Sequence, residues 1–284
     1  MRESIKFIKT ELQELYSIGE VQSFLFRIFE SVCNMDSQSV LLSKDKQLSP
    51  NEKNWIREIV GDLRRYRPLQ YILGETDFYG CQFKLTESVL IPRPETEELV
   101  EWINFFIKDE VSFSRRTSLR ILDVGVGSGC IAVSLAKTNP NVQISALDFS
   151  EDILRLAKSN AELNDVKIDL ISMDILSEIP DGSWHMLVSN PPYIVPSERL
   201  DMSPGVLDHE PPSALFVPED NPLLFYDRIA ELGLRILEKG GVLFFEINPL
   251  FHSEMLNLLK TKGYRNIEMK KDISGKERMM KAVL

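Results

Sequence analysis

The stretch Val188-Ser189-Asn190-Pro191-Pro192-Tyr193-Ile194 sets an amide side chain, two prolines and an aromatic ring directly after Trp184 to Val188, an apolar run of strand length. Pro191 ends any ladder that run could join, because proline lacks the N–H and has a fixed φ. Asn190 is therefore expected at the carboxyl end of a strand, the edge where open α/β sheets bind ligands. These residue types suit the capture of a planar –NH2 group. The Asn190 side-chain oxygen and the Pro191 carbonyl can each accept one N–H bond, which leaves the nitrogen lone pair pointing outward. Tyr193 would cover the flat face. An isolated Asn-Pro-Pro is also an ordinary turn signal, so the rest of the chain decides between the two.

A second constellation lies upstream. Ile121 to Val124 ends a strand, Gly125, Gly127 and Gly129 alternate with Val126 and Ser128, and a helix follows from Ile131. Glycines at such a turn let backbone approach a ligand closely. The dinucleotide fingerprint is Gly-x-Gly-x-x-Gly; here the third glycine comes one residue early and position 130 is Cys, which favours a cofactor without a phosphate. Asp148 ends the next strand about 20 residues beyond Gly129, where an acid can hold both ribose hydroxyls. Asp174 closes the third strand, suited to accept from an adenine amino group, with Ile175 beside it for apolar contact with the ring. Each acid alone is compatible with an exposed loop; three strand ends in register point to a nucleoside.

The elements that must position these residues can be read from periodicity. Residues 1–68 carry apolar residues at three- and four-residue spacing, as in Ile5, Ile8, Leu12 and Leu15, and predict four or five helices. Ser49-Pro50-Asn51-Glu52 reads as a capped start with Pro at the first helical position. This helical domain holds no catalytic cluster and is assigned to partner recognition. Residues 69–90, with Tyr71 to Gly74 and Asp77 to Phe83 alternating, predict a β-hairpin linker. In residues 91–284, Ile91-Pro92-Arg93-Pro94-Glu95-Thr96-Glu97 opens a helix behind paired prolines that could set Arg93 beside the site. From residue 119, strands at 119–124, 142–147, 168–172, 184–189 and 241–247 alternate with helices at 131–137, 153–163 and 223–237. The expected fold is α/β: a doubly wound, mostly parallel seven-stranded sheet, closed by an antiparallel hairpin of 263–270 and 278–284.

Composition bounds the function. With 284 residues, 43% hydrophobic and 27% charged, the chain is long enough for one or two ordinary globular domains. No run of 18 apolar residues is present, and Met1-Arg2-Glu3-Ser4-Ile5-Lys6 leads into a charged amphipathic pattern, so a cytoplasmic location is expected. Cys33, Cys81 and Cys130, like His185, His209 and His252, lack the close spacing of a metal site, and none is expected. The net charge of −10 disfavours a large duplex-binding face, despite the local Arg64-Arg65-Tyr66-Arg67.

Asp123 to Gly129, Asp148 and Asn190-Pro191-Pro192-Tyr193 together resemble class I S-adenosylmethionine-dependent methyltransferases of the amino-methylating branch with an Asn-Pro-Pro-Tyr motif. Arg67-Pro68-Leu69-Gln70-Tyr71-Ile72-Leu73-Gly74, Phe78-Tyr79-Gly80, Leu90 to Glu97, Glu210 to Leu215 and Asp272 to Arg278 are similar to hallmark segments of the protein-glutamine N5-methyltransferases of the PrmC/HemK family. Two departures are Ile175, where relatives often carry an aromatic residue, and 216–222, which lacks a glycine-rich loop. The resemblance implies a Rossmann-like methyltransferase sheet. It also implies S-adenosylmethionine held by Gly125, Val126, Gly127, Ser128, Gly129, Asp148, Asp174, Ile175 and Asn190. Asn190, Pro191, Pro192 and Tyr193 would be catalytic, and with Ile194 and Arg93 they would bind the substrate. That substrate would be the glutamine of the Gly-Gly-Gln motif in bacterial peptide chain release factors, with neither nucleic acid, membrane nor a second copy needed. A glutamine methyltransferase for a ribosomal protein, a base amino methyltransferase acting on a flipped nucleotide, and a non-catalytic nucleoside-binding protein are the alternatives.

Overall fold

The computed structural model describes residues 1–114 and 119–284. The chain forms two compact units, Met1–Gly74 with Ser203–His209, and Glu75–Met202 with Glu210–Leu284.

The first unit contains α1 (Arg2–Leu12), α2 (Ile18–Cys33), α3 (Ser37–Leu42), α4 (Pro50–Leu63) and α5 (Leu69–Leu73). Ser17 and Ser49 each cap a helix through a capping box with the Glu three residues on, which satisfies two backbone donors reciprocally. The apolar stripes converge on Ile8, Leu12, Leu25, Ile28, Phe29, Ile56, Ile59 and Leu63, all almost fully buried. Tyr71 to Gly74, expected as strand, lie instead in and just beyond helix α5. Leu69, Ile72 and Leu73 recur at helical spacing and pack on this core, and Gly74 ends the helix at φ +74°. The returning segment 203–209 sits against the end of α4: the His209 ring is 3.2 Å from the Arg65 carbonyl, and Gly205 passes so close to Tyr66 that a Cβ would lie 2.8 Å from its carbonyl oxygen.

The second unit opens with a hairpin, β1 (Glu75–Phe78) and β2 (Cys81–Lys84), shorter than expected and closed by Tyr79 and Gly80, both at positive φ. Helix α6 (Pro94–Ser114) leads to β3 (Arg120–Val124), α7 (Cys130–Thr138), β4 (Gln143–Asp148), α8 (Glu151–Leu163), β5 (Asp169–Ser172) and β6 (Trp184–Ser189). After a 3-10 turn at Pro196–Asp201, α9 (Pro204–His209) in the first unit and α10 (Pro212–Leu215), the chain continues through α11 (Leu224–Ile236), β7 (Leu237–Glu246), α12 (His252–Thr261), β8 (Arg265–Lys271) and β9 (Glu277–Val283). Helix α12 falls where no element was expected; it seats Met255 and Leu259, one turn apart, in the core.

The seven strands lie in the order β5-β4-β3-β6-β7-β9-β8, parallel except for β9, which runs antiparallel to both neighbours. Alternate residues feed two cores, one on each face. Ile121, Met186, Val188, Val242 and Phe244 pack with α6, α7 and α8, whereas Leu122, Leu187, Leu243 and Phe245 pack with α11 and α12. Continuous apolar strands such as Met186-Leu187-Val188 therefore arise because both faces are covered. The chain reverses direction of sheet growth between β3 and β6, so their carboxyl ends diverge at a topological switch point.

Two asparagines, one in the last turn of α8 and one capping its end, fasten the hairpin to this sheet. Asn164 accepts from the Gln82 N–H and donates to the Gln82 carbonyl, and one turn earlier Asn160 does the same with Lys84. Asn160 Nδ2 also donates to the Ser128 carbonyl at 2.8 Å. Each amide imitates a strand edge. Asn160→Leu leaves three backbone groups without their partner, and a loss of about 2–3 kcal/mol in unfolding free energy is expected from the denaturant midpoint.

Candidate active site

The loop after β3 and the loop after β6 face each other across the switch point. Gly125 and Gly127 hold φ +80° and +51°, values that cost an L-residue backbone strain, and a Cβ on either would meet no heavy atom within 4 Å. The loop is tied to the neighbouring strand by Gly125 N–H and Val126 N–H bonds to the Leu147 carbonyl, at 3.0 and 2.9 Å. Asp148, at the end of β4, accepts from the Gly127 and Ser150 N–H groups. Burial pushes its carboxyl above the ordinary carboxylate range, against the pull of these backbone donors.

A cleft with about 830 Å³ of empty space, part of it open solvent, lies over these strand ends. It brings together Gly125, Gly127, Asp148, Asp174, Ile175, Asn190, Pro191 and Pro192. Val126, Ser128 and Gly129 stand behind it. Val126 enters the core, Ser128 is buried with its carbonyl on Asn160, and Gly129 caps α7 while packing against Ala157. Asp174 is exposed, and its carboxylate accepts from the Leu176 N–H and the Ser177 hydroxyl.

Asn190 is fixed from one side only. Its Nδ2 donates to Thr96 Oγ1 at 3.2 Å, whereas its Oδ1 is buried and accepts no hydrogen bond from any described residue. Tyr193 packs beside the second core, and its hydroxyl donates to the buried Glu246 at 3.1 Å. Burial and the Glu246 charge hold that phenol well above its usual range. Ile194 bridges to Phe216, with its N–H on the Leu215 carbonyl. Arg93 does not line the cleft; it pairs with the buried Glu210 at 2.5 Å, which also accepts from the Ile91 N–H.

Phe149, two-thirds exposed, Met173 and Phe225 line the cleft although nothing in their spacing marks them, as do Ser88 and Val89, and Leu90 and Ser213-Ala214 of the hallmark segments complete it. Phe149 supplies an aromatic face next to Asp148, near Ile175. Glu246 had a signal available: a carboxylate at the end of the apolar run Val242-Leu243-Phe244-Phe245 is costly unless every oxygen is answered.

Residues 5–74 match the PrmC N-terminal domain family and 110–203 match the methyltransferase small domain family. A release factor glutamine methyltransferase of Flavobacterium psychrophilum is 42% identical over 95% of this chain and 94% of its own. One of Bacteroides thetaiotaomicron is 39% identical over 97% of each chain. The chain belongs to the release factor glutamine methyltransferase family. Its sheet is shared more widely: human methyltransferase 10 domain containing protein, at 18% identity, superposes with a TM-score of 0.52 over 72% of this chain and 89% of that one.

For S-adenosylmethionine, the cofactor of a methyltransferase with this sheet, the cleft has fitting groups. The backbone of Gly125 and Gly127 is unobstructed, Asp148 is a partly satisfied carboxylate suited to hydroxyl donors, and Phe149 and Ile175 offer apolar surface. Among the described residues no basic side chain lines the cleft, in keeping with a ligand that carries no phosphate. Among the described residues no cluster of His, Cys, Asp and Glu could hold a metal ion.

The raised carboxyl of Asp148 sets a pH dependence. Hydroxyl donors require the ionised acid, and burial makes this acid take up its proton at a higher pH than an exposed one. Cofactor affinity is therefore expected to be full above that titration and to fall as pH drops through it. Calorimetric titration across the acid range should show this fall in the native chain and a much flatter profile in Asp148→Asn.

Proposed function

We propose that this chain transfers the methyl group of S-adenosylmethionine to the side-chain amide nitrogen of the glutamine in the Gly-Gly-Gln loop of peptide chain release factors. The observation that carries it is the buried Oδ1 of Asn190, which faces no donor of the described chain while Nδ2 is tied to Thr96. An unanswered buried acceptor costs about 1–3 kcal/mol, which an incoming N–H would relieve. Asn190 Oδ1 and the adjoining Pro191 carbonyl would accept the two N–H groups of a primary amide, and Pro191 and Pro192 hold that pair rigid.

An amide nitrogen is a poor nucleophile because its lone pair is delocalised. The cofactor supplies an electrophilic methyl group on a sulfonium, so the protein's task is alignment and charge stabilisation. Two acceptors on the N–H groups orient the nitrogen for in-line attack, and their dipoles favour the positive charge that develops as the methyl group arrives. The proton can leave to solvent afterwards, so no ionised base is needed in the motif. Tyr193 steadies the loop from beneath through Glu246, and Asp148, Phe149 and Ile175 hold the nucleoside side of the cleft. Gly125 and Gly127 give that ligand its backbone approach, with Val126, Ser128 and Gly129 fixing the loop and Asp174 at its rim. Ile194 and the Arg93–Glu210 pair frame the substrate's approach. Residues 1–68 fit partner recognition and 69–90 the link to the methyltransferase region of 91–284. Such a substrate places the protein in the cytoplasm, and no helix among the described residues is long and apolar enough to cross a membrane.

The deciding experiment is transfer of radiolabelled methyl groups to purified release factor, with a Gln→Ala change in its Gly-Gly-Gln loop, ribosomal proteins and DNA run in parallel. Label on release factor that vanishes with the one glutamine is expected; label confined to ribosomal protein or DNA refutes the proposed substrate. Asn190→Ala is expected to cut turnover by about 10²-fold or more while leaving cofactor affinity nearly unchanged. A collapse of cofactor affinity instead would make Asn190 a structural residue.

A further inference from the structure

Behind Asn190 runs a chain of buried polar groups that the transfer itself does not use. Asn190 Nδ2 donates to Thr96 Oγ1, and the Thr96 hydroxyl donates to Glu246 Oε2 at 2.6 Å. The other Glu246 oxygen accepts from the Tyr193 hydroxyl at 3.1 Å, and that hydroxyl in turn accepts from Arg278 Nη1 at 3.4 Å. Thr96 and Glu246 are each 1% exposed.

The direction of every proton in this chain is dictated by its ends. An ionised carboxylate only accepts, and a guanidinium only donates. Thr96 owns one hydroxyl proton, and Glu246 takes it. What Thr96 has left to offer Asn190 is a lone pair, so Asn190 must turn its –NH2 inward and its carbonyl oxygen outward. Tyr193 likewise must donate to Glu246, because its other neighbour, the Arg278 guanidinium, has no lone pair with which to accept. Both carboxylate oxygens are thereby engaged, and Asn190 is left with one orientation.

We propose that Glu246 and Thr96 are positioning and specificity-determining residues that fix the polarity of the Asn190 side chain, so that the site presents an acceptor and selects an amide over a carboxylate. This rests on the assignment of Asn190 Oδ1 as the substrate acceptor. A glutamate in the substrate position brings no N–H, and two carbonyl oxygens turned toward it repel it. A glutamine at position 246 would offer one donor and one acceptor where two acceptors are needed. With its –NH2 toward Thr96, the threonine hydroxyl must turn its proton to Asn190. Asn190 then rotates, and its –NH2 faces the cleft.

The test uses the full chain with Thr96→Val, Thr96→Ser and Glu246→Gln. Steady-state methyl transfer to release factor is measured beside calorimetric binding of S-adenosylhomocysteine and inhibition by a release factor whose loop glutamine is changed to glutamate. Thr96→Val and Glu246→Gln are expected to lower kcat/KM by about 10- to 100-fold, with S-adenosylhomocysteine affinity within about threefold of native, and Thr96→Ser should recover most of the rate. Glu246→Gln should also bind the glutamate-bearing release factor about tenfold more tightly, relative to KM for the natural one, than the native chain does. A merely structural Glu246 would not move that ratio.

Native rates in Thr96→Val or Glu246→Gln overturn the proposal, as does a Thr96→Ser as impaired as Thr96→Val, or an unchanged glutamine-to-glutamate ratio in Glu246→Gln. If Thr96→Val does not fold, the ratio in Glu246→Gln decides alone. Absence of label with the native chain is a separate result: it removes the proposed reaction, and the relay with it.

Discussion

A carboxylate closed off from water must have its oxygens answered, and in this protein that demand falls on Glu246. It ends strand β7, and burial raises its carboxyl even though Thr96, Tyr193 and the charge of Arg278 pull the other way. Leaving such a charge unpartnered would cost several kcal/mol. Its hydrogen-bond partners come from the first turn of α6 and the loop after β6, and Arg278 at the start of β9 backs them through the Tyr193 hydroxyl. Satisfying one side chain therefore fixes four segments that are far apart in sequence. Arg278 is itself held by Asp272, whose carboxyl is lowered to about 2 by Ser274, the Lys276 N–H and Arg278 together, against its own desolvation.

The sheet explains why this knot lies beside a cleft. Strands β3 and β6 are parallel neighbours whose following loops lead to opposite sides, and the cleft opens over the ends of those strands. The glycine loop occupies one lip and Asn190-Pro191-Pro192 the other. Each lip is stiffened from behind. Asn160 clamps the Ser128 carbonyl to the hairpin, and Ser189 donates to the Val124 carbonyl at 2.6 Å, joining the two strand ends directly. The buried Asp123 braces the first lip by accepting from the Ala132 N–H at the start of α7. Preorganised acceptors matter more here than in enzymes with a strong nucleophile, because the amide contributes so little reactivity of its own.

Much of this was legible in the sequence because local signals and tertiary demands agreed. The strand ends at Val124, Asp148 and Ser189 followed from bounded apolar runs, and the helix at Pro50 from Ser49 and Glu52. Where a segment's neighbours decided, legibility failed. Tyr71 to Gly74 alternates well enough for a strand, yet Leu69, Ile72 and Leu73 find a helical core to pack on. In the site, the cleft residues at Gly125, Asp148 and Asn190 could be named because their spacing carries chemistry, whereas Phe149, Met173 and Phe225 are ordinary apolar residues until the fold gathers them. Thr96 and Glu246 are 150 positions apart, and no spacing rule links them.

The segment Arg93-Pro94-Glu95-Thr96-Glu97-Glu98 shows how many distant parts of a chain one motif can hold together. Arg93 takes Glu210, Thr96 takes Glu246 and Asn190, Glu97 accepts from the Tyr79 N–H at 2.6 Å, and Glu98 accepts from the Ile273 N–H at 3.0 Å. One helical turn thus grips the β1–β2 hairpin, both Asn190 and the β7 end, the 272–276 turn, and the point where the chain re-enters the sheet unit at Glu210. Acids in a first helical turn are already favoured by the exposed N–H groups there, so these carboxylates reach outward without losing their local support. Pro94 begins the helix and needs no N–H partner of its own. Composition alone would class the run as a capped, charged surface helix start. Its side chains tie Asn190, on one lip of the cleft, to the end of β7, the β1–β2 hairpin and the 272–276 turn, so the lip is held from several directions at once.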